Sequence, residues 1–252
     1  MDDFVHAGTY QENSLALDSA PLPGPAGEAP QFEPEIPSYL QDTYYWAYIS
    51  PRNVRLLDRE IVVRTILWQQ HNRLQKLAFS EIEPGQRVMQ PASVYGSFGP
   101  NLAKHVGPGG HLDIVDVARV QVDSASRKLS PFSWAHAHHA NCLHFNRGPY
   151  DVIVCYFLLH EVPDEVKRQV VDHLLSQVGA GGKVVFVDYA KPKWWHPLKL
   201  ITSIVFDTLE PFAKGLWRHE IRELATDEDR FEWRRETIFG SLFQKTVATR
   251  KA

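Results

Sequence analysis

The chain has 252 residues, of which 44% are hydrophobic and 23% charged, and its formal net charge is −3 at pH 7. This length fits one α/β domain with additions, and the slightly acidic balance argues against a general nucleic-acid-binding protein. The two cysteines follow no metal or redox spacing, and neither a signal peptide nor a membrane-spanning run is recognised, so we expect an intracellular protein, soluble or peripheral to a membrane.

The N-terminal part divides into a tail and a cap. Residues 1–34 include five prolines from Pro21 onward and little periodic apolar content, which is typical of a disordered acidic tail. Residues 35–82 are predicted to form a helical cap, because Ser50-Pro51 is a helix-start signal and an apolar pattern continues to about Phe79. The apolar face of that helix is predicted to contain Val54, Leu57, Ile61, Val62, Thr65 and Trp68.

From residue 83 onward, strand and helix patterns alternate. The predicted strands are Arg87–Gln90, Gly110–Asp116, Trp134–Ala137, Tyr150–Tyr156 and Lys183–Asp188, followed by two β segments within Thr237–Thr249. Helices are predicted over Phe98–His105 and Pro163–Val178, the second ended by Gly179–Gly182. This alternation predicts a doubly wound α/β fold over residues 83–252, with a Rossmann-like parallel sheet and a C-terminal antiparallel hairpin.

The turn after the first strand has the spacing of a dinucleotide-binding fingerprint with altered residues. Ala92 and Val94 occupy the first two glycine positions, and Gly96 alone retains the third. Gln90 stands where an acidic residue would face the cofactor. We predict that this loop, with Tyr95, still lies against a nucleotide cofactor.

Further cofactor-binding candidates follow the other strands. Asp116, with Val117 beside it, ends the second strand, where a carboxylate can accept hydrogen bonds from ribose hydroxyls. A helix N-cap or a solvated acid is the alternative interpretation. An adenine is expected near the segment after the third strand, at His139, Ala140 and Asn141, and Tyr156 at the end of the fourth strand is a further cofactor-binding candidate. The histidines near this segment also suggest a metal site. However, His138 and His139 are adjacent and would point to opposite faces of a strand, so they cannot both reach one metal ion.

A His160-Glu161 pair follows the fourth strand at the expected pocket mouth. The pair suits general acid–base chemistry or a divalent ion. The alternative is that Glu161 caps the next helix and His160 packs beside it.

An apolar insert over residues 191–222 precedes the hairpin. Leu198, Ile201, Val205 and Leu209 share a helical face, and lysines and tryptophans flank it. This pattern suits a membrane-surface helix or a lid over a lipid tail, or else an ordinary core helix in a cap.

Three segments together resemble one family. These are Tyr39–Tyr48, the altered loop Gln90–Gly96, and Glu236–Gln244. Over residues 39–249 the chain resembles class I S-adenosylmethionine (SAM)-dependent methyltransferases of the ubiquinone/menaquinone type. More closely, it resembles the rhodoquinone biosynthesis RquA family.

The resemblance implies an unusual reaction, in which a ring methoxy group of ubiquinone is replaced by an amino group. SAM is then the amino donor, and Mn²⁺ is the implied metal. In the quinone methyltransferases a tyrosine of the N-terminal segment contacts the cofactor, and Tyr45 or Tyr48 is the nearest match; the alternative is that these tyrosines only pack. The catalytic candidates are Tyr45, His160, Glu161 and Tyr189, and the metal candidates are His160, Glu161, Asp188 and His196.

The expected partners are ubiquinone and a membrane surface, with no nucleic acid. The expected location is the cytoplasmic face of a bacterial inner membrane, or a mitochondrial inner membrane in a eukaryote. Two alternatives stay open: a conventional C- or O-methyltransferase for a lipophilic aromatic, and a non-catalytic SAM- or lipid-binding accessory protein. The oligomeric state is not predicted.

Overall fold

The computed structural model describes residues 34–252, so the predicted tail lies outside the described residues except for its last position. The helices are α1 (Ser38–Tyr44), α2 (Pro51–Leu57), α3 (Glu60–Ile66), α4 (His71–Phe79), α5 (Phe98–Val106), α6 (Arg119–Leu129), α7 (Asp164–Ser176), α8 (Lys199–Thr208) and α9 (Gly215–Arg218). The strands are β1 (Arg87–Gln90), β2 (His111–Asp116), β3 (Ala135–His139), β4 (Tyr150–Tyr156), β5 (Val178–Tyr189), β6 (Phe231–Ile238) and β7 (Phe243–Arg250).

The seven strands form one sheet in the order β3-β2-β1-β4-β5-β7-β6. Strands β1 to β5 pair in parallel, and β7 lies antiparallel to both β5 and β6. The predicted fold class, a doubly wound sheet with a C-terminal antiparallel hairpin, is confirmed. Strand order reverses between β1 and β4, and in such sheets ligands bind beyond the carboxyl ends of the strands at this point.

The central strands are covered on both faces, which explains their continuous apolar sequences. Val152, Ile153 and Val154 of β4 are completely buried, as are Val184 to Val187 of β5. Side chains alternate between the two faces, so helices on each side of the sheet bury a separate hydrophobic cluster. The rigid sheet therefore fixes the positions of the residues at its strand ends.

The cap differs from the predicted long helix. In place of that helix the cap contains α2, α3 and α4, with α1 before them, and the chain takes positive φ angles at Trp68 and Gln69 between α3 and α4. These breaks rotate the apolar pattern, so Ile61 is 66% exposed whereas Leu67 is buried. Upstream, residues Tyr45–Ile49 form a single π-helical turn.

The prediction that the glycine run Gly179–Gly182 ends α7 is wrong. The helix ends at Ser176, and the glycines lie within β5. The pairing of β4 with β5 jumps from Tyr150–Val178 to Val152–Lys183, so the glycines form an irregularity in the strand. Glycine is favoured both at helix ends and at bulges, and the local sequence does not distinguish these uses.

The insert contains α8 and the short α9. Leu200 is 73% exposed, and Ile201, Ile204 and Leu209 are also largely exposed, whereas Phe206 packs inward. Of the predicted face, Ile201 and Leu209 are therefore exposed, whereas Leu198 and Val205 pack against the core. Among residues 34–252, no helix is both long and apolar enough to cross a membrane.

Position 96 requires glycine because helix α3 of the cap lies close to its backbone. Its φ angle is +78°, and a Cβ atom there would lie 3.0 Å from Oε2 of Glu60 and 3.3 Å from Cγ2 of Val63 in α3. We expect Gly96→Ala to lower the free energy of unfolding by about 2–3 kcal/mol, through backbone strain and loss of cap packing. Gly181→Ala is the matched control, because its φ angle is +74° and a Cβ would meet nothing within 4 Å. Equal losses for the two variants in urea unfolding would show that the contact with α3 is unimportant.

Candidate functional site

Two adjoining cavities lie beyond the carboxyl ends of β1, β2, β4 and β5. The large cavity has an empty volume of about 960 Å³ including its open mouth, and the small cavity about 610 Å³. Both are lined by Tyr48, Ala92, Ser93 and Glu161, which therefore form a shared wall. The location is the switch point of the sheet, where ligands bind in folds of this class.

Asp116 lies in the small cavity at the end of β2. Its Oδ2 accepts a hydrogen bond from the Ser93 backbone at 2.9 Å, and its Oδ1 accepts one from the Ala118 backbone at 2.8 Å. Burial raises the pKa of Asp116 to about 6, although these backbone hydrogen bonds act in the opposite direction. Each carboxylate oxygen retains acceptor capacity, so ribose hydroxyls can still bind here.

The altered loop is held from within by Gln90. This side chain is fully buried, and its Nε2 donates to the Ala92 carbonyl at 2.7 Å. Its Oε1 has no hydrogen-bond partner among the described residues. Gln90 lines neither main cavity; with Val94 it borders a smaller space beside α5. The amide thus stabilises the loop whose Ala92 and Ser93 form the shared wall.

Tyr48 closes the shared wall from the cap side. Its hydroxyl donates to Oε1 of Glu161, and its ring stacks on Tyr95 with 5.7 Å between centroids. Gln121 of α6 supports both tyrosines, because its Nε2 donates to the Tyr95 hydroxyl at 2.9 Å and the Tyr48 carbonyl at 3.3 Å. Sequence reasoning missed Gln121, because nothing in the helical pattern indicates a tertiary role.

His160 and Asp188 form a buried pair beside the large cavity. Nδ1 of His160 lies 2.9 Å from Oδ1 of Asp188, and Nε2 lies 3.7 Å from Oε1 of Glu161. Since a carboxylate only accepts, we assign the Nδ1 proton to the bond with Asp188. Asp188 also accepts from the backbone of Leu159 at 2.9 Å and of Tyr189 at 2.7 Å. This arrangement orients the imidazole with Nε2 toward Glu161.

The electrostatics of this group favour proton transfer near neutral pH. Burial alone would lower the pKa of His160, but the negative charge of Asp188 and its hydrogen bond raise it to about 9. Burial raises the pKa of Glu161 to about 8, against the opposing effect of His160. General acids and bases work best when their pKa lies near the working pH, and both groups meet that condition.

Glu210 was not predicted, and it lines the same cavity. It follows α8 in the insert, and burial raises its pKa. The Tyr44 hydroxyl from the cap faces its carboxyl group. The only sequence signal was an acid within an otherwise apolar stretch, which does not reveal that the insert folds back over the cavity.

The remaining predicted residues are distributed unevenly. Those lining the large cavity are Tyr48, Ala92, Val94, Tyr95, Tyr156, His160, Glu161 and Tyr189. Those lining the small cavity are Tyr48, Ala92, Asp116, Val117, Asn141 and Glu161. Seven candidates line neither cavity: Gln90, Gly96, His139, Ala140, Asp188, His196 and Tyr45, which is 56% exposed. His139 instead contacts the Val117 carbonyl at 3.1 Å.

Three of the four predicted metal ligands, His160, Glu161 and Asp188, lie together, but they contact one another rather than leave a free coordination site between them. Asp188 is occupied by His160 and by backbone donors, and the ring of His196 packs against Phe239 at 5.1 Å between centroids. Within residues 34–252, no group of three or more histidine, cysteine, aspartate or glutamate side chains could hold a metal ion. The donor set therefore does not fit Mn²⁺, because a manganese site needs several converging oxygen or imidazole ligands.

Comparison with known proteins supports the fold. No protein-family model and no curated protein sequence matches this chain. An O-methyltransferase family protein from Burkholderia thailandensis matches with a TM-score of 0.61 and 14% identity, over 82% of this chain and 64% of that one. The N-methyltransferase NodS from Bradyrhizobium japonicum, in complex with S-adenosyl-L-homocysteine, matches with a TM-score of 0.55 and 14% identity, over 86% of this chain and 100% of that one.

A SAM-dependent methyltransferase from Aquifex aeolicus is similar as well, with a TM-score of 0.51 and 16% identity, over 80% of this chain and 98% of that one. Identities this low relate the proteins by fold alone. The chain has the fold of the class I SAM-dependent methyltransferases.

Proposed function

We propose that the protein is a SAM-dependent transferase that acts on a lipophilic quinone. The observation that carries this proposal is the shared wall between the two cavities. On one side, the small cavity contains Asp116, an acid of the type that binds ribose. On the other side, the large apolar cavity contains His160 and Glu161, which can transfer a proton. A two-substrate transferase needs this arrangement, because the reacting atoms of its substrates must meet within about 3–3.5 Å.

SAM would lie across both cavities. Asp116 accepts hydrogen bonds from the ribose hydroxyls, and Asn141 and Cys142 lie where an adenine reaches in the same cavity. The methionine part must then pass the wall where Tyr48 contacts Glu161. Binding of SAM therefore separates these two side chains and frees the Glu161 carboxyl group for the acceptor.

The large cavity fits a planar ring with an apolar tail. Phe98, Tyr156 and Phe157 form aromatic walls, with 3.9 Å between the ring centroids of the first two. Ile66 and Trp46 line the cavity and are also about half exposed, so its mouth is apolar. Apolar pockets with a few convergent polar groups are typical small-molecule sites.

Exposed apolar and basic residues of the insert support a membrane-surface location. Trp194 is 85% exposed, Leu200 and Ile204 project outward from α8, and Lys191 and Lys193 are exposed nearby. Aromatic, aliphatic and basic side chains in this combination favour the interface of an anionic bilayer. Peripheral binding would bring the protein to a quinone dissolved in that bilayer.

The transferred group that we propose is the amino group, following the resemblance to the RquA family. The α-amine nitrogen of SAM bonds to the methoxy-bearing ring carbon, and the ring C–O bond breaks with loss of methanol, which leaves the quinone joined through nitrogen to the α-carbon of SAM. The N–Cα bond then breaks in two stages: the α-carbon loses its proton and its electron pair reduces the quinone ring, which forms a C=N bond, and water hydrolyses that bond to give the aminohydroquinone and the 2-oxo acid of SAM.

The amine must be neutral to attack, and Gln90, being uncharged, does not hold it as an ammonium. Glu161 accepts the proton that the amine loses, and protonated His160 balances the charge of that carboxylate. No step is assigned to Mn²⁺, because the residues described do not fit it.

Methyl transfer is the second candidate, and the fold favours it, since the similar structures include methyltransferases. The same cavities serve either reaction. The two reactions differ in which atom of SAM reaches the ring, so labelled SAM distinguishes them.

Doubly labelled SAM tests the proposal. The protein is incubated with short-tailed ubiquinone and SAM carrying ¹⁵N in the amine and ¹³C in the methyl group, with and without Mn²⁺, and the quinone is analysed by mass spectrometry. We expect ¹⁵N in the ring and loss of one methoxy group, at a higher rate on vesicles containing anionic lipid than on neutral vesicles. Incorporation of ¹³C instead would establish methyl transfer. An unchanged quinone, with SAM bound, would favour an accessory role and contradict both reactions.

A further inference from the structure

The cap exposes large apolar side chains that the sheet does not cover. Ile61 is 66% exposed, and Trp46, Leu56 and Ile66 are each about half exposed. Soluble proteins rarely expose apolar side chains in groups, and such groups are typical of surfaces that bind a protein or a membrane. The outer surface of residues 46–66, which we call the cap face, is therefore a candidate binding surface.

Helix α3 shows the direction in which the cap face points. Val63 packs inward, because a Cβ atom at Gly96 would lie 3.3 Å from its Cγ2. Ile61 and Thr65 are each two residues from Val63, which is about 200° around the helix. Both side chains are exposed, so the cap face points away from the sheet.

The cap face is positively charged. Four exposed arginines of the cap form no ion pair with any residue of the range 34–252: Arg52, Arg55, Arg59 and Arg64. The two acids between them are already engaged, since Asp58 pairs with Lys128 at 2.6 Å and Glu60 lies 3.3 Å from Nε2 of His71. Positive charges beside exposed apolar side chains are complementary to an anionic bilayer, which presents phosphates above an apolar interior.

The cap face borders the mouth of the large cavity. Trp46 and Ile66 line that cavity, and the same two side chains are about half exposed. The insert reaches the cavity through Glu210, so the cap face and the insert both border it. A quinone whose tail stays in a bilayer can enter only if this mouth lies against the bilayer.

We propose that the cap face binds the surface of an anionic bilayer and holds the mouth of the large cavity against it, so that the quinone ring enters while its tail remains among the lipids. This inference rests on the proposed function, because it concerns the route of the acceptor into that same cavity. It adds a second membrane contact to that of the insert. The arginines bind lipid phosphates, and Leu56 and Ile61 enter the apolar boundary of the leaflet.

A fluorescent label on the cap face tests this orientation. Ile61→Cys in the full chain carries a nitrobenzoxadiazole label and is titrated with vesicles of phosphatidylglycerol and phosphatidylcholine in equal parts, with labelled wild type as the background. We expect the emission to increase and shift to the blue, because the label enters an apolar environment. The same label at Glu232→Cys, an exposed position of β6, should not change.

Two results with this label would overturn the proposal. The first is a label at position 61 that keeps its aqueous emission on protein bound to vesicles, because the membrane contact would then lie elsewhere. The second is an emission that is already blue-shifted without vesicles. The chain itself, through its acidic residues 1–33 or a second copy, would then cover the cap face.

Removal of charge tests the contact with lipid phosphates. The variant combining Arg55→Gln, Arg59→Gln and Arg64→Gln is expected to bind the same vesicles about 30-fold more weakly in a sedimentation assay, since each arginine near an anionic surface contributes up to about fivefold. The matched control removes three exposed arginines outside the cap, at Arg147, Arg168 and Arg230. Its net charge changes equally, and its binding should stay within about twofold of wild type.

Turnover separates a failure of this inference from a failure of the proposed function. The cap-face variant should keep its rate with a tail-less quinone in solution and lose about tenfold with a long-tailed quinone in anionic vesicles, because less of it is at the membrane. Equal vesicle binding by this variant and its matched control would overturn the membrane contact and leave the proposed function intact. If the wild type transformed neither quinone although the label and the binding assay behaved as expected, the membrane contact would stand and the proposed reaction would fail.

Discussion

Replacement of Asp188 by asparagine is expected to lower the transfer rate by about two to three orders of magnitude. The Asp188 carboxylate accepts the Nδ1 proton of His160 at 2.9 Å and thereby directs Nε2 toward Glu161. An asparagine amide carries no charge, so it no longer keeps the imidazole protonated, and His160 cannot then balance the charge of the Glu161 carboxylate. Steady-state kinetics with the quinone, supported by NMR titration of His160, checks the expectation.

The same substitution should alter the pH dependence of stability. The folded pKa of His160 is about 9, above its ordinary value of 6.5, because Asp188 favours the charged form. Its contribution to stability is therefore fully present below pH 6.5 and is lost as the pH rises toward 9. Glu161, with a raised pKa of about 8, changes in the same direction, and Glu210 also faces this group. Asp188→Asn should abolish the His160 part and also remove the smaller effect of the Asp188 charge on Glu161 and Glu210, and NMR titration of His160 isolates the first of these.

Asp172→Asn is the matched control for Asp188→Asn. Asp172 also accepts a backbone hydrogen bond, from Thr226 at 2.8 Å, but it lies at an exposed position of α7 away from the cavities. Its substitution should leave the transfer rate within about twofold of wild type. A His160 pKa unchanged in folded Asp188→Asn would contradict the role assigned to the pair.

Much of the fold was predictable because it depends on local patterns. The continuous apolar run of β4 and the hairpin near Gly240 each have one structural interpretation. The helix breaks in the cap and the glycine run of β5 were harder to predict, because the local sequence of each fits two different structures. In the cap, positive φ angles at Trp68 and Gln69 interrupt a pattern that reads as one helix.

The candidate site was predictable where residues follow strand ends. Asp116 and His160 lie at the cavities because the strands that precede them are fixed in the sheet. The sequence did not show which tyrosines of the cap face inward, because the π-helical turn changes the direction of the side chains that follow. Tyr44 and Tyr48 face inward, whereas Tyr45 is exposed. Tertiary packing alone determines the positions of Gln121 and Glu210, so no local pattern could indicate them.

Asp116→Ala is expected to weaken binding of S-adenosylhomocysteine by about 100-fold or more. We propose that this carboxylate, which lines the small cavity at the end of β2, accepts hydrogen bonds from both ribose hydroxyls, and each hydrogen bond to a charged group contributes about 1.5–3 kcal/mol. The substitution also removes the contacts that hold the Ser93 and Ala118 amides. Calorimetry measures the affinity, and Asp123→Ala, at an exposed position of the following helix α6, is the control.

The pH dependence of this affinity distinguishes a direct role of Asp116 from a merely structural one. Ribose hydroxyls donate to the ionised carboxylate, but burial raises the pKa of Asp116 from 3.8 to about 6 in the free protein. Ligand binding must therefore remove a proton below that value, so the affinity of the wild type should rise as the pH increases from 5 to 7 and then level off. Asp116→Asn cannot titrate and should bind weakly and without this dependence. If the variant kept the wild-type pH profile, another group would control binding, and the assignment of the small cavity to the nucleoside would lose its main support.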